Sequence, residues 1–143
     1  MEITWYGHSC FRITERNRIS VVTDPFSESI GLPVPKLKGD VVTISHNEPG
    51  HNNVEAVKPS PHVLQGPGEY ELGGVFVTGV PMHLVEEEAV RWNIAYLLEY
   101  DNLTVLHLAV PHLTADLQPS SSQLLWIVDI YGFLVAGFEK APL

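Results

Sequence analysis

The residues of this chain best suited to chemistry lie in one stretch, Ser45-His46-Asn47-Glu48-Pro49-Gly50-His51-Asn52-Asn53. It places two imidazoles and a carboxylate within six residues. Imidazole nitrogen and carboxylate oxygen suit a divalent ion of the zinc or manganese kind. His46 and Glu48 are two apart, so on extended backbone their side chains point the same way. Pro49-Gly50 turns the chain and brings His51 in behind them. The spacing is equally compatible with a polar loop carrying surface histidines. Other reactive types read as structural. Cys10, between Ser9 and Phe11, is a small buried residue rather than a nucleophile. Gly66, Gly68, Gly73 and Gly74 are turn glycines, and no Lys-Ser or Lys-Thr follows them to make a phosphate cradle.

The elements around that loop must position it. Val41 to Ser45 is continuously apolar enough to be a strand covered on both faces, and it delivers His46 to its end. Asn52 to Lys58 predicts a short helix with Asn52 as N-cap, so that His51 enters at its start. Upstream, Ile3 to Tyr6 is a short strand. Cys10 to Thr14 and Ile19 to Thr23 form a hairpin that Asp24-Pro25 stops, since proline cannot donate to a ladder. Phe26 to Gly39 is a loop rich in glycine and proline. Downstream, strands are expected at Val63-Leu64, Tyr70 to Leu72 and Val75 to Val80, with Gly73-Gly74 as a tight turn. Ala95 to Tyr100 and Leu103 to Leu108 make the clearest hairpin, across Asp101-Asn102. Glu86-Glu87-Glu88 reads as a solvated loop and Pro119 to Gln123 as a polar one. Leu124 to Ile130 and Phe133 to Phe138 are the last two strands.

Bulk properties narrow the partners. With 143 residues and 45% apolar side chains, the chain can fold as a single domain, 1–143, with a real core. Its formal net charge is -9, and its 8 basic residues are scattered, so a phosphate backbone would be repelled. Nucleic acid is therefore not an expected partner. A single cysteine allows no internal disulfide, which suits a cytoplasmic location. The N-terminus does not read as a secretory signal. The most apolar stretch, Leu124 to Phe138, is interrupted by Asp129 and Gly132 and falls short of the ~20 residues that cross a bilayer. No membrane role is expected.

Taken as a set, these motifs resemble the metallo-β-lactamase superfamily. His46-Asn47-Glu48-Pro49-Gly50-His51 is similar to its His-x-His-x-Asp-His motif, and Asn52-Asn53 to the branch of ascorbate-6-phosphate lactonases and other small metal-dependent hydrolases. Trp5-Tyr6-Gly7-His8-Ser9-Cys10-Phe11 resembles the opening of that branch, and Thr23-Asp24-Pro25 its first acidic motif. Gly66-Pro67-Gly68-Glu69-Tyr70-Glu71 and Val75 to Gly79 resemble its middle hairpin. His107-Leu108 resembles the start of its His-Leu-Gly-Asp motif. The match runs in order from Met1 to about Leu117.

The resemblance implies an α/β fold, a four-layer αββα sandwich, incomplete in its second half. It implies chemistry by two metals, which lower the pKa of bound water and polarise a carbonyl or phosphoryl group. His46 stands at the first histidine position, His51 at the motif's last, and His83 at the later histidine position. Glu48 stands where a histidine is usual, Gly50 where an aspartate is usual, and Val110 where the bridging aspartate follows His107-Leu108-Ala109. The expected ligands are thus His46, Glu48 and His83 around one zinc or manganese ion, or around none, with His51 adding to them. His51 and His8 would assist catalysis and Asp24 would orient the metal loop by hydrogen bonding. A two-metal centre has lost too many anionic ligands to offset the charge of a second dication. The expected function is a metal-dependent hydrolase-like protein with weak or absent activity on a small ester, lactone or phosphoester. The alternative is a non-catalytic ligand-binding or assembly protein on the same fold. The apolar tail predicts a homo-oligomer, most simply a dimer.

Overall fold

The computed structural model describes residues 1–86, 89–101, 103–109, 123–130 and 133–140. Two sheets carry the architecture. In the first, β1 (Glu2–Gly7), β2 (Cys10–Thr14) and β3 (Val21–Thr23) run antiparallel, and β5 (Val41–Thr43) and β7 (His62–Leu64) follow β3 in parallel. Their order is β1-β2-β3-β5-β7. Every residue of β3 and β5 is buried, as a strand covered on both faces requires. The second sheet has β8 (Gly68–Leu72), β9 (Val75–Glu86), β10 (Ala89–Glu99), β11 (Thr104–His107), β12 (Gln123–Ile130) and β13 (Phe133–Lys140). Neighbours there are antiparallel except β11 and β12, which are parallel. A small separate pair joins β4 (Leu37–Lys38) to β6 (Val57–Lys58).

Alternation decides which side chains go where. Phe11, Ile13, Val21, Val41 and Leu64 of the first sheet share one buried cluster with Val75, Val77, Tyr96, Leu98 and Val105 of the second. Their neighbours Cys10, Val22 and Val42 face the other way and pack with Phe26, Leu37, Ile44 and Val57. Each such aliphatic or aromatic side chain contributes about 1.5–3 kcal/mol by leaving water. Two polar stitches join the sheets near the end of β5. The Tyr96 hydroxyl reaches the Leu64 carbonyl at 2.8 Å and that of Ile44 at 3.1 Å. The Ile94 N–H donates to the Ser45 carbonyl at 2.8 Å.

Several expectations are corrected. The predicted helix Asn52 to Lys58 is a 3-10 turn, Val54–Ala56, followed by β6. Lys58 precedes Pro59, which pushes it out of the helical region, and Val57 is buried in the ladder with Leu37. Asn53, not Asn52, sits at the N-cap and makes no capping bond. Its amide donates instead to the Phe26 carbonyl at 3.0 Å. The Phe26 to Gly39 loop contains a 3-10 turn, Glu28–Ile30, and β4. The hairpin β9–β10 is longer than expected, so Glu86 belongs to a strand. Pro81 sits inside β9 because it faces Ile94, whose N–H turns away from β9 toward Ser45. That rung asks nothing of a proline nitrogen. Among the described residues no α-helix covers either sheet, so what is observed of the αββα expectation is its two central sheets. Glu87, Glu88, Val110, His112 and Pro119 to Ser122 lie outside the described residues. No helix among the described residues is long and apolar enough to cross a membrane.

Candidate functional site

The site is assembled by strand register. β3 and β5 run parallel with Thr23 beside Thr43, so both strands end at the same edge. There the Asp24 N–H donates to the Thr43 carbonyl at 2.9 Å. Asp24 is completely buried and takes a left-handed backbone conformation, φ 38°. Its carboxylate accepts the Ser45 N–H at 2.8 Å on Oδ1. On Oδ2 it receives the Ser45 hydroxyl at 2.6 Å and meets His51 Nδ1 at 2.9 Å. Burial alone would raise the Asp24 carboxyl. The bond from His51, the nearby His107 and the Ser45 hydroxyl outweigh it, and the group lies below the usual carboxylate range.

Three imidazoles gather over this carboxylate. The His46 and His51 ring centroids are 3.9 Å apart, and those of His8 and His51 are 4.7 Å apart. His8 Nε2 lies 3.2 Å from His51 Nε2. The Trp5 indole holds the His8 carbonyl at 2.8 Å and so fixes that turn. His46 Nδ1 lies 2.9 Å from the Ser45 hydroxyl, and its Nε2 is 3.7 Å from Glu48 Oε2. Desolvation, then the neighbouring His51, lower the His46 pKa against the opposing pull of Asp24 and Glu48. His46 is therefore neutral near neutral pH, the form in which imidazole binds a metal.

The sequence-derived candidates separate into two groups. His8, Asp24, His46 and His51 are brought together, with Glu48 at the rim and its side chain 54% exposed. His83 is exposed on β9, across from Trp92, with ring centroids 5.7 Å apart. That rung is two residues beyond Pro81–Ile94, where the Ile94 N–H meets Ser45. Among the described residues no three His, Cys, Asp or Glu side chains stand arranged to hold a metal ion. Gly50 is buried and offers no donor atom. A Cβ built there would lie 3.0 Å from His8 Nε2 and 3.4 Å from Ile30 Cγ2, so the His8 ring fills the space into which a side chain would project.

Three residues enter the site that sequence reasoning had given no role in it. Ser45 carries the hydroxyl between Asp24 and His46. Asn93 is buried, donates to the Leu108 carbonyl at 2.9 Å, and lies against His46. His107 is buried, packs edge-on to Phe11, and adds to the field that lowers Asp24. The signal for Asn93 was a lone amide in the Trp92 to Leu98 run, which only the strand phase could mark as buried.

The family model described as β-lactamase superfamily domain matches residues 2–141. The chain belongs to the β-lactamase superfamily. Parts of the chain are similar to curated and solved proteins. A metal-dependent hydrolase of Methanobrevibacter smithii is 32% identical over 54 residues, covering 36% of this chain and 23% of that protein. The crystal structure of a putative zinc-dependent hydrolase of the metallo-β-lactamase superfamily, from Thermotoga maritima, superposes with a TM-score of 0.61 at 33% identity. It covers 80% of this chain, which spans 52% of that one. The diiron β-hydroxylase CmlA of Streptomyces venezuelae shares the fold alone, with a TM-score of 0.54 at 17% identity over 75% of this chain and 29% of its own. A methyl viologen resistance protein of Salmonella typhimurium is 43% identical over 44 residues, 31% of this chain and 9% of that protein.

Proposed function

We propose that this superfamily member is a hydrolase-like protein whose site holds one divalent ion, zinc or manganese, and whose two-metal hydrolysis is weak or absent. The observation that carries the reading is at Gly50. The position that resembles the family's aspartate has no side chain, and the space beside it is filled by His8. A second dication would lack the anionic ligand needed to offset its charge. The donor chemistry fits a single ion better. His46 is neutral, Glu48 lies at its rim, and His83 projects from the strand beyond Ser45. Glu48 is exposed and already 3.7 Å from His46, so ordering it there costs mainly side-chain entropy, about 1–2 kcal/mol. When bound, such an ion supplies Lewis acidity toward water and toward a carbonyl or phosphoryl oxygen.

The chain's own groups would do the rest. Asp24 and Ser45 hold the His46 ring, and His51 and His8 stand beside it as groups able to accept or donate a proton. The substrate class is a small ester, lactone or phosphoester, since an acidic protein repels polyanions. The same Gly50–His8 contact favours one rival, a non-catalytic ligand-binding or assembly protein on this fold. Metal analysis after incubation with zinc or manganese separates them. One equivalent of metal, lost in His46→Ala, is the expected result. No metal leaves the non-catalytic reading, and two equivalents overturn the ligand count.

A further inference from the structure

A second group of charged side chains meets at the opposite end of β5 from the histidines. Asp40 precedes Val41 at the start of that strand, whereas Ser45 and His46 follow its other end. An open cavity of about 420 Å³ lies there, lined by Ser20, Lys38, Gly39, Asp40, Lys58 and Pro59. Small-molecule sites span roughly 300–1,000 Å³, so the size is suitable. The two-residue ladder β4–β6 sets Lys38 beside Lys58, with Leu37 and Val57 buried and both lysines exposed. Paired strands lie ~4.8 Å apart, so the two side chains leave the ladder on one face as close neighbours. Like charges placed directly opposite each other destabilise a ladder. Arg12 adds a third cation. Its Nε donates to the Lys38 carbonyl at 2.7 Å, and its charge reaches Asp40.

Asp40 is the one carboxylate in the lining, and it is engaged with Ser20. Its Oδ2 accepts the Ser20 N–H at 2.8 Å and the Ser20 hydroxyl at 2.7 Å. Among the described residues neither Lys38 nor Lys58 has a carboxylate within ion-pair distance. Three cations against one carboxylate leave a local positive excess in a chain whose net charge is -9. We propose that this cavity binds the phosphate group of a small molecule, held by Lys38 and Lys58 with Arg12 behind them. A phosphate monoester carries about -1.5 to -2 near neutral pH, which matches that excess. The N–H groups of Ser20, Gly39 and Asp40 are already bonded within the protein, so side chains supply the recognition. Gly39 is buried, and a Cβ there would lie 2.7 Å from Val22 Cγ2, so the floor between the lysines and Asp40 is packed onto the core. A nucleic acid is the poorer occupant, because its backbone would meet the acidic surface beyond the cavity. The site is independent of any metal at His46.

Proton–nitrogen NMR near neutral pH tests this, with inorganic phosphate titrated against chloride at constant ionic strength. The expected result is a saturable shift of the Gly39, Asp40 and Lys58 amides. Lys58→Gln should raise the dissociation constant about tenfold, the worth of one hydrogen bond to a charged group. Lys38→Gln combined with Lys58→Gln should abolish saturation. Both side chains are exposed, so the rest of the spectrum should keep its wild-type positions. Phosphate bound at a metal near His46 would instead shift Ser45 and Asn47, and shifts confined to those residues overturn the proposal. A drift that never saturates and spreads over the surface, the mark of an adventitious ion only, also overturns it, as does wild-type affinity in the double variant. Equal affinity for acetate would refute the phosphate assignment, since one negative charge would then suffice. The wild-type titration decides the matter even if a variant does not fold.

Discussion

Replacing Tyr96 by phenylalanine removes one hydroxyl and leaves the buried ring in place. That hydroxyl ties β10 to the ends of β5 and β7 through the Ile44 and Leu64 carbonyls. It has one proton, so the shorter 2.8 Å contact to Leu64 takes most of the bond. The Leu64 carbonyl also accepts the Ile44 N–H at 2.9 Å, so the variant leaves it partly satisfied. One neutral hydrogen bond is worth about 1 kcal/mol net, and a poorly satisfied carbonyl adds a fraction more, so about 1.5 kcal/mol is expected. That loss lowers the melting temperature by about 5 °C for a chain of this size. Tyr100→Phe is the control. Among the described residues its buried hydroxyl has no partner, so it bears desolvation without a bond. Removing it should be neutral or stabilising by about 1 kcal/mol. Burial pushes both phenols upward, so neither ionises near neutral pH. Urea midpoints for the two variants should therefore move in different directions, or one should move and the other not. Equal losses in both would refute the hydrogen-bond accounting.

Three further outcomes are expected. Burial, then Asp24, pushes the Cys10 thiol up to about 12, so a disulfide reagent at pH 8 should label the chain only after unfolding; fast native labelling would refute the burial. Gly73 lies at φ 52°, and a Cβ there collides with the Ile19 side chain, so Gly73→Ala should cost about 2–3 kcal/mol in a thermal melt, and a cost under about 1 kcal/mol would contradict it. The backbone N–H and then the hydroxyl of Ser20 hold Asp40 below the usual carboxylate range. A depressed pKa gives stability that is present above the unfolded value and lost as pH falls through the folded one, so Asp40→Asn should flatten the stability curve below about pH 4, and an unchanged acid slope would count against it.

Much of the fold was legible because strands announce themselves by alternation. The Cys10 to Thr14 strand and the Asp101 turn were placed from pattern alone, and the Leu124 to Ile130 and Phe133 to Phe138 strands came within a residue or two of their observed bounds. The misses have physical causes. Val54 to Lys58 carries no periodicity long enough to separate a helix from a turn, and the discriminating signal was Pro59 acting on Lys58. The strand ending at Val80 was cut short at Pro81, because only tertiary structure reveals that Ile94 sends its N–H elsewhere. In the site, sequence could supply residue types but not the path of a proton. Nothing in Asp24, Ser45 and His46 taken singly says that one hydroxyl bridges the other two, because the bridge exists only once β3 and β5 stand in register.

That register also sets what kind of change the protein can absorb. Asp24 and Ser45 meet because Thr23 and Thr43 are neighbours on adjacent parallel strands. A substitution elsewhere leaves this alignment intact. One residue inserted or deleted within β3 or β5 slides the ends apart by about 3.3 Å and turns every following side chain to the opposite face. Such a slip would carry the Asp24 carboxylate away from all its donors at once, whereas the loops at Arg16 to Ser20 and Ser27 to Lys36 can lengthen without moving it. Among lineages of this chain, length variation should therefore collect in those two loops and be missing from the two three-residue strands that separate them from the histidines.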